Sequence, residues 1–167
     1  MPAQLRPGRV LADGAGERIQ GLPEAPPFGV LVIALDAALS TAAVYAEADE
    51  LELCRGGAEL ERLLEQVREG VSMDSEPLAR PLMVNDLEQA AISLAPAIRA
   101  ARERARDGGA DVVMVSGSGP TVLGIFLGED GFKRAHRAVE RAAGTGPLVI
   151  AVQPVGAEFG EPRPIEA

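Results

Sequence analysis

The stretch that most constrains this chain is "DVVMVSGSGPTVLGIFLG", residues 111–128. β-Branched and apolar residues stand on both sides of Ser116, Gly117, Ser118, Gly119 and Pro120. A Gly-rich phosphate cradle normally passes from strand to loop to helix, because a helix N-terminus supplies free N–H groups and a positive dipole end. Here the loop is followed by Thr121, Val122, Leu123, Gly124, Ile125 and Phe126, which read as a second strand. The loop is longer than the two residues a tight hairpin needs. It carries the hydroxyls of Ser116 and Ser118, with Thr121 beside them. Two uses stay open: a plain turn, or an anion-binding nest of successive N–H groups with no helix behind it.

The neighbouring segments place this hairpin in a fold. Short β-like segments, "GRVLADG" and "ERIQGL", surround the turn signal Gly14-Ala15-Gly16. Residues 28–35, "FGVLVIAL", form a continuous apolar run that predicts a strand buried on both faces. Ser40 or Thr41 can cap a helix through "AAVYAEADEL". Residues 58–70 predict an amphipathic helix, with Leu60, Leu63, Leu64 and Val67 on one face and Gly70 ending it. The segment "SMDSEPLARPLM" predicts irregular structure. In "NDLEQAAISLAPAIRAARERARDGG", Asn85 reads as a helix cap with Glu88 completing a capping box. Pro96 should kink or split that helix. Arg102, Arg104 and Arg106 read as a solvated, dipole-favoured helix end. A helix over 132–143 and a strand in "PLVIAVQPV" follow, then a Pro/Gly-rich tail expected to be loose.

From Phe28 the order, less the inserted helices, is βαββαβ. That pattern predicts an α+β fold of the ferredoxin-like split βαβ type: an antiparallel sheet with helices on one face. The loop is then its central hairpin.

Bulk properties exclude several function classes. The 167 residues suit one domain with a real core. A formal net charge of −9 argues against nucleic acid, which needs clustered Lys and Arg. Cys54 is the single cysteine, so no disulfide framework or Cys-based metal site is expected, which suits a reducing cytosol. The N-terminal residues show no signal-peptide pattern, and no apolar run approaches the roughly 18–20 residues of a membrane helix. A cytoplasmic protein without membrane contact is the expectation.

Taken in order, "NDLE", "SLAP" and "GGADVVMVSGSGPTVLGIF" resemble the C-terminal half of the 4-diphosphocytidyl-2-C-methyl-D-erythritol kinases, a GHMP-type small-molecule kinase family of non-mevalonate isoprenoid and terpenoid synthesis. "GRVLADGAGERIQGL" looks like that family's strands just after mid-protein. "LSTAAVY" looks like its substrate-side segment, with Ala42 where a Pro is usual. The resemblance implies ATP- and Mg2+-dependent phosphorylation of the 2-hydroxyl of the cytidyl-linked methylerythritol. It implies that Ser116, Gly117, Ser118, Gly119, Pro120 and Thr121 form the third GHMP motif, at the cleft between two domains. It puts Tyr45 where an aromatic stacks on cytosine, with Thr41 beside it; packing of Tyr45 into the core is the competing reading. Residues 1–27 are then the end of an N-terminal GHMP domain, 28–156 the C-terminal domain and 157–167 a tail.

The chain also departs from the family pattern. The Gly-rich main phosphate loop and the early Lys are not in the sequence, and the family's catalytic Asp would fall just before Pro2. The candidate replacement acids are Asp13, Asp36, Asp49, Asp86, Asp111 and Asp130, together with the glutamates, none of them in the loop. Asp86 reads as a first-turn helix residue, and His136, among Lys133, Arg134 and Arg137, as a surface group. No catalytic residue and no metal ligand is therefore assigned to this chain, and ATP is not expected to bind it tightly alone. Two readings compete. In one the chain is the C-terminal portion of the kinase, inactive alone, which meets an N-terminal half or self-associates through the face left exposed. In the other it is a non-enzymatic ferredoxin-like module that binds a small molecule or a protein. A different GHMP kinase, for homoserine or mevalonate, fits "LSTAAVY" and "NDLE" less well.

Overall fold

In a computed structural model, residues 8–14, 16–72, 80–142 and 146–156 are described. Among the described residues six strands and five α-helices follow in the order β1 (Val10–Asp13), β2 (Arg18–Gly21), β3 (Phe28–Ala34), α1 (Thr41–Glu50), α2 (Gly57–Ser72), α3 (Glu88–Leu94), α4 (Ala97–Asp107), β4 (Val112–Val115), β5 (Val122–Leu127), α5 (Gly131–Ala142) and β6 (Leu148–Val152). A 3-10 turn spans Arg80–Leu82. Most of "SMDSEPLARPLM" and the tail from residue 157 lie outside the described residues.

Strands β4, β5, β3 and β6 form one antiparallel sheet in that spatial order. Numbered from β3, this is 4-1-3-2 read from β6, the split βαβ arrangement that the element order predicts. β3 sits in the middle, paired with β5 (Val30↔Ile125) and β6 (Val32↔Ile150).

Side chains of a strand alternate between faces, and here the alternation decides burial. Gly29, Leu31 and Ile33 of β3, and Val122, Gly124 and Phe126 of β5, are buried beneath the helices. The intervening residues are only half-buried, so β3 is not buried on both faces as its unbroken apolar run suggests. On the open face of the edge strand β6, Leu148, Ile150 and Val152 are exposed.

The helical layer is built largely of small residues. Ala101 and Ala105 of α4, and Ala135 and Ala138 of α5, are buried with Ile98 against Phe126, Leu31 and Ile33. Small side chains let helix and sheet approach closely. At the tightest point a Cβ on Gly131 would lie 2.1 Å from the Phe126 carbonyl oxygen and 2.7 Å from the Gly29 nitrogen.

Pro96 splits the long helical segment into α3 and α4, the alternative in which it breaks rather than bends the helix. α2 runs two residues beyond Gly70, to Ser72, so that glycine does not end it. The apolar face of α2 (Leu60, Leu63, Leu64, Val67) borders a groove of about 350 Å3 with the β1–β2 ribbon, tied by an Arg68–Asp13 ion pair at 3.1 Å. β1 and β2 pair only with each other, apart from the main sheet. No helix among the described residues is long and apolar enough to cross a membrane.

Candidate functional site

The loop between β4 and β5 closes on itself through two backbone bonds, Ser116 N–H to Thr121 C=O (2.8 Å) and Gly119 N–H to Ser116 C=O (2.9 Å). Gly117 and Gly119 have φ of +56° and +80°, values that glycine adopts without steric cost. The Gly119–Pro120 peptide is cis. No partner within the described residues takes the N–H groups of Gly117 and Ser118. Two successive free amides under a hydroxyl leave the nest reading of the loop open.

α1 reaches this loop from the side. Ser40 caps the helix by accepting from the Ala43 N–H at 3.4 Å. Val44 and Ala48 point into the core, which turns Thr41 and Tyr45, also four residues apart, onto a neighbouring exposed face. The hydroxyls of Thr41 and Ser118 lie 3.1 Å apart, joining residues distant in sequence. Tyr45 is 56% exposed, which rules out its packing into the core. The loop is thus joined to α1 at Thr41, and Tyr45 follows one helical turn further along the exposed face of that helix.

The segment before α3 holds the loop from beneath. The Asn85 carboxamide donates to the carbonyls of Val115 and Gly117, each at 2.8 Å, and its oxygen accepts from the Leu87 N–H at 3.0 Å. The helix begins at Glu88, two residues later than a cap at Asn85 would put it; the cap position is Leu87, which makes no side-chain cap bond. Nor does Glu88 complete a capping box. Its carboxylate accepts from the Val115 N–H at 2.9 Å and pairs with Arg102 at 2.6 Å. β4 is an edge strand, and these two side chains satisfy both backbone groups of its last residue, which would otherwise lack partners.

The arginines of α4 also differ from a uniformly solvated helix end. Arg102 is mostly buried against Glu88, and its Nε has no partner among the described residues. Arg104 donates to the Ala142 carbonyl, whereas Arg106 is exposed.

Five of the six candidate aspartates have partners elsewhere. Asp13 pairs with Arg18 and Arg68, and Asp86 pairs with Arg55 at 2.8 Å; because α3 starts only at Glu88, Asp86 lies before the helix and is not the first-turn residue its sequence position suggests. Asp49 accepts from the Cys54 thiol at 3.5 Å. That hydrogen bond and the Asp49 charge push the thiol pKa up, so Cys54 is not an activated thiolate. Asp111 takes the Leu127 N–H at 2.9 Å and ion pairs from Arg80 and Arg134, both at 3.1 Å. Burial pushes its pKa up, but the Leu127 N–H and the two guanidinium groups outweigh this and hold it below the usual carboxylate range. Asp130 lies 3.9 Å from Arg134, and Asp36 is exposed. His136 is a surface group, as its sequence setting predicts, 3.5 Å from Glu140.

A polar cleft of about 670 Å3 is lined by Asn85 together with Cys54, Arg55, Asp86, Glu88 and Arg102, among others. No residue of the 116–121 loop lines it, nor does Thr41 or Tyr45. Among the described residues no three His, Cys, Asp or Glu side chains converge as metal ligands would.

Comparison with known proteins places this architecture. The GHMP kinases C-terminal family matches residues 60–146. The 4-diphosphocytidyl-2-C-methyl-D-erythritol kinase of Rhizobium meliloti is 35% identical over 147 residues, covering 88% of this chain and 45% of that protein. The enzyme of the same name from Streptomyces avermitilis is 36% identical over 148 residues, covering 87% of this chain and 48% of that protein. The crystal structure of a 4-(cytidine 5'-diphospho)-2C-methyl-D-erythritol kinase superposes with a TM-score of 0.59 at 28% identity, over 86% of this chain and 48% of the other. A homoserine kinase from Cytophaga hutchinsonii shares the fold, with a TM-score of 0.64 at 15% identity over 93% of this chain and 50% of that one. The chain spans about half the length of the curated relatives it matches. With the 4-1-3-2 sheet, the Gly-rich hairpin between its strands and this match over half its length, the chain belongs to the GHMP kinase family, as a C-terminal domain.

Proposed function

We propose that this chain is the substrate-side portion of a kinase that phosphorylates the 2-hydroxyl of 4-(cytidine 5'-diphospho)-2-C-methyl-D-erythritol with ATP, a cytoplasmic step of isoprenoid biosynthesis. The observation that carries the reading is the exposed surface of Tyr45, Thr41 and the 116–121 loop, joined by the 3.1 Å contact between Thr41 and Ser118. An exposed aromatic ring beside hydroxyls and free amides suits a nucleobase attached to phosphate: the ring stacks and the donors take the anion. The relatives' names support the cytidyl substrate. On this reading residues 116–121 are the third GHMP motif at an interdomain cleft, residues 28–156 are the C-terminal domain, and 1–27 belong with an N-terminal domain.

The complete enzyme would use ATP and Mg2+. The residues present do not fit them: the loop holds no Lys, Arg, Asp or Glu, and the aspartates with ion pairs are committed elsewhere. Phosphoryl transfer depends on charge neutralisation and positioning. We therefore assign no catalytic residue to this chain and expect it to be inactive alone. Product formed by the purified chain from ATP and the cytidyl substrate, above a no-enzyme control, would overturn that. The partner on this reading is an N-terminal GHMP half. It would cover apolar surface such as Leu60 on α2 and the open β6 face; without it, self-association through the same surface is expected in light scattering.

The direct test is titration calorimetry with cytidine diphosphate and then ATP. Binding of the first without the second supports a substrate half-site. Equal binding of both, or tighter binding of ATP, counts against it.

A further inference from the structure

The contact between Thr41 and Ser118 requires the loop backbone to be held in place, and the residues that hold it lie outside the loop. Val115 ends an edge strand, and among the described residues its outward N–H and C=O meet only Glu88 and Asn85. Asn85 goes further: its second N–H reaches Gly117 inside the loop. Its two N–H groups each take one carbonyl and its oxygen takes the Leu87 N–H, so both donors and one of the two acceptor positions of the carboxamide are used. No other side chain with that shape supplies two donors and an acceptor at this reach. Glu88, half-buried, is fixed from behind by Arg102.

We propose that Asn85, backed by Glu88 and Arg102, is the positioning residue of the 116–121 loop and sets Ser118 against Thr41. Asn85 does not touch the ligand in this role. It acts through the carbonyls of Val115 and Gly117. The consequence for ligand affinity rests on the proposed function; the consequence for loop order does not.

The test is Asn85→Asp in the full 167-residue chain. Aspartate keeps the shape and the acceptor for Leu87, but removes both donors and sets a charge against two carbonyls. Amide hydrogen exchange at Ser116 and Gly119 should quicken about tenfold or more, while the amides of β3 and β5 keep their rates. Unchanged exchange at Ser116 and Gly119 would overturn the proposal. So would equal acceleration throughout the sheet, which is what a merely structural role predicts. If Asn85→Asp does not fold, Asn85→Ser removes the same donors without charge and carries the same criteria. Glu88→Gln, which keeps an acceptor for Val115, should preserve loop protection better than Glu88→Ala; equal loss in both would count against the support role of Glu88. Cytidine diphosphate affinity is read in parallel. Faster loop exchange in a chain whose parent does not bind the ligand upholds the positioning role and refutes the substrate reading. A parent that binds, with loop exchange and affinity unmoved in Asn85→Asp, does the reverse.

Discussion

Two glycines in the same loop allow the backbone and packing contributions to be separated. Gly117 and Gly119 both have positive φ, so alanine at either incurs a left-handed backbone cost of roughly 1–2 kcal/mol. Part of this is offset, by about 0.4–1 kcal/mol, because alanine restricts the unfolded chain. Around Gly117 a Cβ would meet nothing within 4 Å. Around Gly119 it would lie 3.1 Å from Cγ1 of Val115, and 3.5 Å from both Ala91 Cβ and Leu39 Cδ1. Val115 and Ala91 are fully buried, so they cannot swing aside into solvent, and overpacking adds about 1–3 kcal/mol. Gly117→Ala should therefore cost about 1 kcal/mol and Gly119→Ala about 2–4 kcal/mol. Urea unfolding followed by circular dichroism reads the difference as a shift in midpoint at constant slope. Equal midpoints for the two variants would refute the packing argument. Midpoints equal to that of the parent would refute the backbone argument as well.

Gly131→Ala should destabilise by roughly 3 kcal/mol or more, because its Cβ would meet backbone atoms at 2.1 and 2.7 Å that only a shift of β3 or β5 could relieve. Gly57→Ala, at the start of α2 with nothing within 4 Å, should be neutral or slightly stabilising in the same urea titration. The folded-state pKa of Asp111 lies below its unfolded value, so its contribution is present above the unfolded pKa and lost as pH falls through the folded one. Asp111→Asn should accordingly destabilise the chain at pH 7 and flatten the loss of stability below about pH 4, measured as urea midpoint against pH. Tyr45→Ala, at a site 56% exposed, should change stability by less than about 0.5 kcal/mol yet abolish calorimetric binding of cytidine diphosphate. Retained binding would remove Tyr45 from the site.

Local patterns were enough to give the element order. The apolar run of β3, the paired strands around a Gly-rich loop and the helix-breaking Pro96 each act within a few residues, and together they specify the 4-1-3-2 sheet. Ser40 as a cap and His136 on the surface were equally local matters. The resemblance also carried the family, since its motifs occur in order along the chain.

Where a side chain had a choice of partners, the sequence offered the nearest one and the fold supplied another. Asn85 and Glu88 have the spacing of a capping box, yet β4 brings the unpaired edge of Val115 within reach, and an unpaired N–H and C=O there would be costlier than an uncapped first turn. Arg102 looked like a solvated cation until the same fold put Glu88 beside it. The meeting of Thr41 with Ser118, and the exposure of Tyr45, depend on how α1 packs on α3 beside the hairpin. Residues four apart on a helix share a face whatever the fold; which face is left open is decided only when Val44 and Ala48 find the core. The sequence by itself thus determined the elements and their order, because backbone propensity and hydrophobic period are short-range. The tertiary structure decided the partners of each polar group, because a hydrogen bond depends on distance in space and not along the chain.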